Sequence, residues 1–261
     1  MDMSTSMTFD EHLATIDDNC ARLLSEAASA VLADPVLTCP GWSVADLVRH
    51  HAGVMRWAIA IVSGGRTDNL TEAEIVTAMA APGHRDGLLE WYSDSARGLS
   101  KSLADSKDGT FLVFLADAPP GRGFWARRQA HEATIHRVDA LSAQLGHLPT
   151  AASTGISADL AADGIDELLM GFLPRRSSGL HTDEPVTVLV APTDADRAWT
   201  IRIGPGPPVT SPGTPRHPDA TLTGSAVALY LGLWNRGDEI AEHGPAPVLG
   251  LWRDKVRIRW R

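Results

Sequence analysis

Residues 124–145 read FWARRQAHEATIHRVDALSAQL, and this stretch decides how the chain is built. It runs without proline or glycine and stops at Gly146, so its length and composition predict a helix from Phe124 to Leu145. On that helix Trp125, Gln129, Glu132, His136, Asp139 and Ala143 share one face. The face is too polar for a plain core stripe. Glu132 and His136 stand one turn apart, with Cβ atoms roughly 5–6 Å from each other. One ion ~2 Å from each ligand atom can bridge such a pair. The competing reading is a solvated surface pair, with Arg128 and Arg137 turning the helix into a salt-bridged exterior.

Working outward, three more helices precede this one. Phe9, Leu13, Ile16, Cys20, Leu23, Ala27 and Val31 recur at spacings of three and four, which predicts an amphipathic helix from about Phe9 to Ala33, ended by Pro35. Ser43 caps a second helix with Asp46 at its third position, close to a capping box. Leu47, His50, Val54, Trp57 and Ile61 line one face of that helix, and Gly64-Gly65 stops it. A third helix fits Asp86 to Leu103. Four helices predict a bundle. The connections at 66–85 and 104–122 are long enough to form rims or lids.

The pattern changes beyond a linker at about His147 to Thr154, which places a domain of residues 1–148 before one of 149–261. Proline becomes frequent and short β-type runs appear. A helix fits Ile156 to Phe172. Pro185–Val190, Trp199–Ile203 and Ala220–Thr223 read as strands. Gly204 to Pro218 contains six prolines and reads as irregular loop. Ser225 caps a helix reaching Trp234, and a last helix and a basic tail over Arg253–Arg261 close the chain. This half reads as a small α+β domain.

Composition sets outer bounds. The 261 residues are 44% hydrophobic and 21% charged, ordinary values for a globular protein with a real core. The net charge of −9 comes with no basic run, which argues against a nucleic-acid partner. Two cysteines, Cys20 and Cys39, make neither a disulfide framework nor a cysteine-rich zinc site, and suit a reduced cytoplasmic protein. The segment MDMSTSMTFDEH lacks the apolar core of a signal peptide, and the longest apolar runs are too short to cross a bilayer. A cytoplasmic location with no membrane partner is expected.

A bridging metal needs a third ligand from another helix. His50 is the best candidate, because it interrupts an apolar stripe where leucine is expected. His51 is its rival, separated only by helical phase. Two imidazoles and a carboxylate suit zinc and tolerate other divalent ions, and three protein ligands leave one position open. Asp139 or Gln129 could orient a ligand from behind. Trp42 and Cys39, in the turn before the second helix, read as packing residues.

Two segments carry a family resemblance. Cys39-Pro40-Gly41-Trp42-Ser43-Val44-Ala45-Asp46-Leu47-Val48-Arg49-His50 resembles the opening of the second helix in the mycothiol-dependent maleylpyruvate isomerase family. Phe124 to Ala140 resembles that family's fourth helix. Asp219–Ser225 and Leu231–Asp238 resemble its C-terminal domain. The resemblance implies a DinB-like four-helix bundle followed by a small α/β domain of sterol-carrier-like fold. It also implies metal ligands at His50, Glu132 and His136, favouring His50 over His51. Mycothiol, the low-molecular-weight thiol of actinobacteria, is the implied cofactor. Arg236, in Trp234-Asn235-Arg236-Gly237-Asp238, is the candidate for the arginine that such enzymes bring from their C-terminal domain, where a guanidinium can hold a carboxylate in a bidentate pair.

The expected function is therefore that of an isomerase or S-transferase in which a metal-bound thiolate attacks a small electrophilic substrate, acting as a monomer or homodimer. Two other classes remain open at the level of sequence. A metal-dependent hydrolase would activate water and use Asp139 or His131 as base. A non-catalytic protein would enclose an apolar ligand between bundle and C-terminal domain.

Overall fold

A computed structural model describes residues 7–116, 118–119, 121–175 and 179–256. The chain divides into two compact units. One comprises Thr8–Phe114 and Pro119–Pro149; the other comprises the chain from Thr150 onward, joined by Leu115 and Ala116.

The first unit is a helical bundle. Helix α1 (Phe9–Ser29) opens on a capping box between Thr8 and Glu11 and buries Ile16, Cys20, Leu23 and Ala27. It ends before the expected Ala33, because Ala30 is extended and the chain turns so that Pro35 bridges Ser43. Helix α2 (Val44–Ser63) has the Ser43–Asp46 capping box that its sequence announces. It ends at Gly64, followed by Gly65 at φ +57°. Helix α4 (Arg85–Asp105) and helix α5 (Gly121–Leu145) complete the bundle. α1 packs along α5 and α4, and α2 along α4 and α5.

Helix α5 is the axis of this unit and is buried over most of its circumference, charged residues included. Arg128 is 1% exposed and Arg137 6%, so the salt-bridged exterior face does not exist. Arg137 instead turns toward Glu26 of α1, 3.5 Å away. The 66–85 connection also differs from the expected loop, for it contains helix α3 (Glu72–Ala78), capped by Thr71 and Glu74. The Thr-x-x-Glu signal at 71–74 announces that helix.

The second unit begins with α6 (Ala151–Thr154) and α7 (Ala158–Asp166), which runs on into a π-helical turn over Glu167–Phe172. A five-stranded mixed sheet follows, in the order β3-β2-β1-β4-β5. β1 (Val186–Pro192) pairs antiparallel with β2 (Trp199–Ile203) and parallel with β4 (Ala220–Gly224). The parallel pairing requires a crossover, which β2 and the following segment supply. The proline-rich segment is not wholly irregular: β3 (Val209–Pro212) pairs antiparallel with β2. Its prolines flank this edge strand or, as Pro212, end it, where a missing N–H is tolerated. β5 (Ala241–His243) pairs antiparallel with β4 at the other edge. Helix α8 (Ala226–Leu233), capped by Ser225, packs on α7, β1 and β4. Buried Asp166 accepts hydrogen bonds from the Trp199 indole and the Arg197 guanidinium, both at 2.9 Å, tying α7 to the sheet. Helix α9 (Leu249–Lys255) ends the described chain; residues 257–261 of the basic tail lie outside it. No described helix is long and apolar enough to cross a membrane.

Candidate metal centre

Helices α2 and α5 bring three predicted residues together. The Oε1 atom of Glu132 lies 3.1 Å from Nε2 of His136 and 3.7 Å from Nε2 of His50. One potential ligand atom from each of the three lies within 4.8 Å of the other two. Donor atoms bound tetrahedrally at zinc-like bond lengths sit about 3.3 Å apart, so the two measured separations bracket that value. Nε2 of His50 is buried and has no hydrogen-bond partner among the described residues. A buried, unpaired imidazole nitrogen beside a carboxylate is a donor set suited to a divalent cation.

Electrostatics prepares the three groups unequally. Burial pushes the Glu132 carboxyl toward protonation, but the Arg128 guanidinium and the two imidazoles override it and hold its pKa well below the usual range. Arg128 reaches Oε2 of Glu132 at 2.7 Å, one helical turn away and fully enclosed. That leaves Oε1 for the histidines. For His136, burial favours the neutral ring, yet Asp139 and Glu132 outweigh it and raise its pKa to about 9. Nδ1 of His136 lies 2.9 Å from Oδ2 of Asp139. Asp139 is itself pinned, accepting from the Thr38 hydroxyl at 2.6 Å and the Cys39 thiol at 3.3 Å.

The turn before α2 completes the surroundings. The Trp42 ring stands 4.8 Å from the His50 ring and stacks nearly parallel on His136 at 6.3 Å. Trp42 and Cys39 therefore do more than pack the turn: one covers both imidazoles, and the other holds the carboxylate behind His136. Their sequence signal was the Cys39–Trp42 turn itself, but the partner, Asp139, is one hundred residues away.

His51, the rival ligand, is fully buried with Nδ1 2.9 Å from the Tyr92 hydroxyl. Burial and the neighbouring His136 hold its pKa well below the ordinary value, so the ring is neutral. His131 is buried against His12 of α1, with ring centroids 6.3 Å apart. Gln129 is buried but makes no hydrogen bond to a ligand residue; Asp139 has the orienting position. Arg236 belongs to the second unit, where its guanidinium donates to the Trp234 carbonyl at 2.9 Å. It follows Asn235, a non-glycine residue at φ +59°.

Fold and centre together define a two-domain protein with a candidate metal site inside a helical bundle. Residues 13–141 match the model of the mycothiol maleylpyruvate isomerase N-terminal domain, and residues 159–250 match the C-terminal domain of the same family. The chain belongs to the mycothiol-dependent maleylpyruvate isomerase family, a family of enzymes. Among solved structures it is similar to the crystal structure of the mycothiol-dependent maleylpyruvate isomerase, with TM-score 0.61 and 14% identity over 94% of this chain and 98% of that one. A histidine-to-alanine mutant described under the same enzyme name gives TM-score 0.60 at the same identity and coverage. At such identity the likeness speaks for the fold. No curated protein matches the chain.

Proposed function

We propose that this protein is a mycothiol-dependent isomerase or S-transferase in which His50, Glu132 and His136 hold a divalent cation, zinc by preference, for a thiolate. The observation that carries the reading is the convergence of three donor atoms from two helices, with one imidazole nitrogen left unpaired. When bound, metal and thiol together supply a thiolate nucleophile at neutral pH, where a free thiol is mostly protonated. Such a nucleophile serves both cis–trans isomerisation of a conjugated acid, by reversible addition, and S-transfer, by addition without elimination.

The residues of the chain have separable tasks in this scheme. Arg128 keeps Glu132 ionised inside the bundle. Asp139 orients His136 and makes its Nε2 a better donor. Trp42 packs its ring beside both imidazoles. Arg236 is assigned to a substrate carboxylate on the strength of guanidinium chemistry. The hydrolase reading loses support, because both oxygens of Asp139 are already engaged and His131 is buried against α1.

Metal analysis of the wild type beside His50→Ala, Glu132→Ala and His136→Ala tests the ligand set, with near-stoichiometric metal expected only in the wild type. Calorimetric titration with mycothiol, before and after metal removal, tests the cofactor. Unchanged thiol affinity in the metal-free protein would remove the thiolate scheme.

A further inference from the structure

The polar stripe on α5 does not end at the metal ligands. Gln129 lies three residues before Glu132 and Trp125 four residues before Gln129, all on one helical face. Gln129 is 1% exposed and Trp125 is fully buried. Both polar atoms of the Gln129 amide, and the Trp125 indole nitrogen, lack any hydrogen-bond partner among the described residues. Three other indoles find acceptors: Trp57 donates to Asn69, Trp199 to Asp166 and Trp252 to the Leu233 carbonyl. A buried polar group left unpaired is destabilising, and here three such atoms belong to residues on the helical face that also carries Glu132 and His136.

We propose that Gln129 and Trp125 form a subsite for the amide groups of a cysteine-type thiol whose sulfur sits at the metal. This inference rests on the thiolate reading above. A side-chain amide offers one donor group and one acceptor, the complement of a secondary amide's C=O and N–H. Gln129 precedes Glu132 by about 4.5 Å along the helix axis, and Trp125 lies about 6 Å further on. In a cysteinyl compound the amides lie a few bonds, about 4 Å, from the sulfur, so the first amide falls at Gln129. The indole N–H, a donor only, then meets a carbonyl or hydroxyl beyond it. Trp125 is fixed for that role by rings on three sides: Trp57, Phe124 and Phe114 have centroids 4.9, 5.3 and 6.0 Å away.

The test uses the full-length protein loaded with cobalt(II), whose thiolate-to-metal charge-transfer absorption reports sulfur binding without reference to catalysis. N-acetylcysteine N-methylamide and 2-mercaptoethanol are the two probes. The wild type should prefer the amide-bearing thiol by about tenfold or more. Gln129→Met and Trp125→Phe should each lose most of that preference while still binding 2-mercaptoethanol, which also shows that they fold and hold the metal. Equal affinity of the wild type for both thiols, or full preference retained in both variants, overturns the subsite and leaves the thiolate scheme intact. Absence of the charge-transfer band with either thiol overturns the scheme and the subsite together.

Discussion

His136 faces Asp139 through one ring nitrogen, Nδ1 to Oδ2 at 2.9 Å, while its other nitrogen faces Glu132 at 3.1 Å. The carboxylate of Asp139 thus sets which nitrogen is free to bind a metal, and Thr38 and Cys39 hold that carboxylate in place. Asp139→Asn should keep the fold but weaken metal affinity about 10–100-fold. Competition against a chelator of known affinity measures this, and unchanged affinity would remove Asp139 from the site.

The same contact gives metal uptake a pH dependence. In the metal-free protein His136 titrates at about 9, above its ordinary 6.5. Its protonated form stabilises the metal-free fold fully below about 6.5, and that contribution is lost as pH rises through about 9. Glu132 has the opposite sign: its lowered pKa contributes above the ordinary carboxylate range and is lost on acidification. A metal needs neutral His136, so uptake at pH 7–8 should release about one proton and affinity should climb with pH until about 9. Calorimetry in buffers of different ionisation enthalpy counts the proton; a count of zero at pH 7 contradicts the coupling.

Arg128 and Glu132 form an enclosed ion pair at 2.7 Å. Arg128→Met removes the cation and strands a buried carboxylate, which costs about 3–5 kcal/mol when a partner is lost inside a protein. The metal-free protein should show that loss in urea melts. A bound divalent ion restores a countercharge, so the metal-loaded variant should lie closer to wild type. Equal destabilisation of both forms would show that the pair acts independently of the metal.

Arg236→Lys tests the assigned carboxylate partner. A lysine keeps the charge but loses the fork that matches a carboxylate. The KM for a carboxylate substrate should rise about tenfold, with metal content and thiol affinity unchanged. An unaltered KM would remove Arg236 from substrate binding and leave it a structural role.

In the second unit, Gly244 sits at φ +118°, and a Cβ there would come 2.3 Å from the Asp219 carbonyl oxygen. Both the backbone angle and the close approach exclude a side chain. Gly244→Ala should cost about 3 kcal/mol or more, read as a fall in the urea midpoint.

Much was legible in the sequence because it is local. The period of 124–145 puts Glu132 and His136 one turn apart whatever surrounds them, and the Ser43–Asp46 capping box starts α2 from within four residues. The same kind of signal at Thr71–Glu74 marks α3. Edge strand β3, hidden among prolines, and three-residue β5 carry no comparable local signal, since each exists only through its pairing with β2 or β4.

The tertiary structure alone decided what depends on distant residues meeting. Helical phase leaves His50 and His51 as rivals, and in the sequence only the family resemblance favours His50; the physical reason is tertiary, since His50 lies 3.7 Å from Glu132 of α5 while Tyr92 of α4 takes His51. Arg128 reads as a surface charge until burial of α5 forces it onto Glu132. Hydrogen bonds within one turn are encoded by spacing, whereas the Thr38 and Cys39 contacts to Asp139 exist only once the bundle closes, because the chain must bring together groups one hundred residues apart.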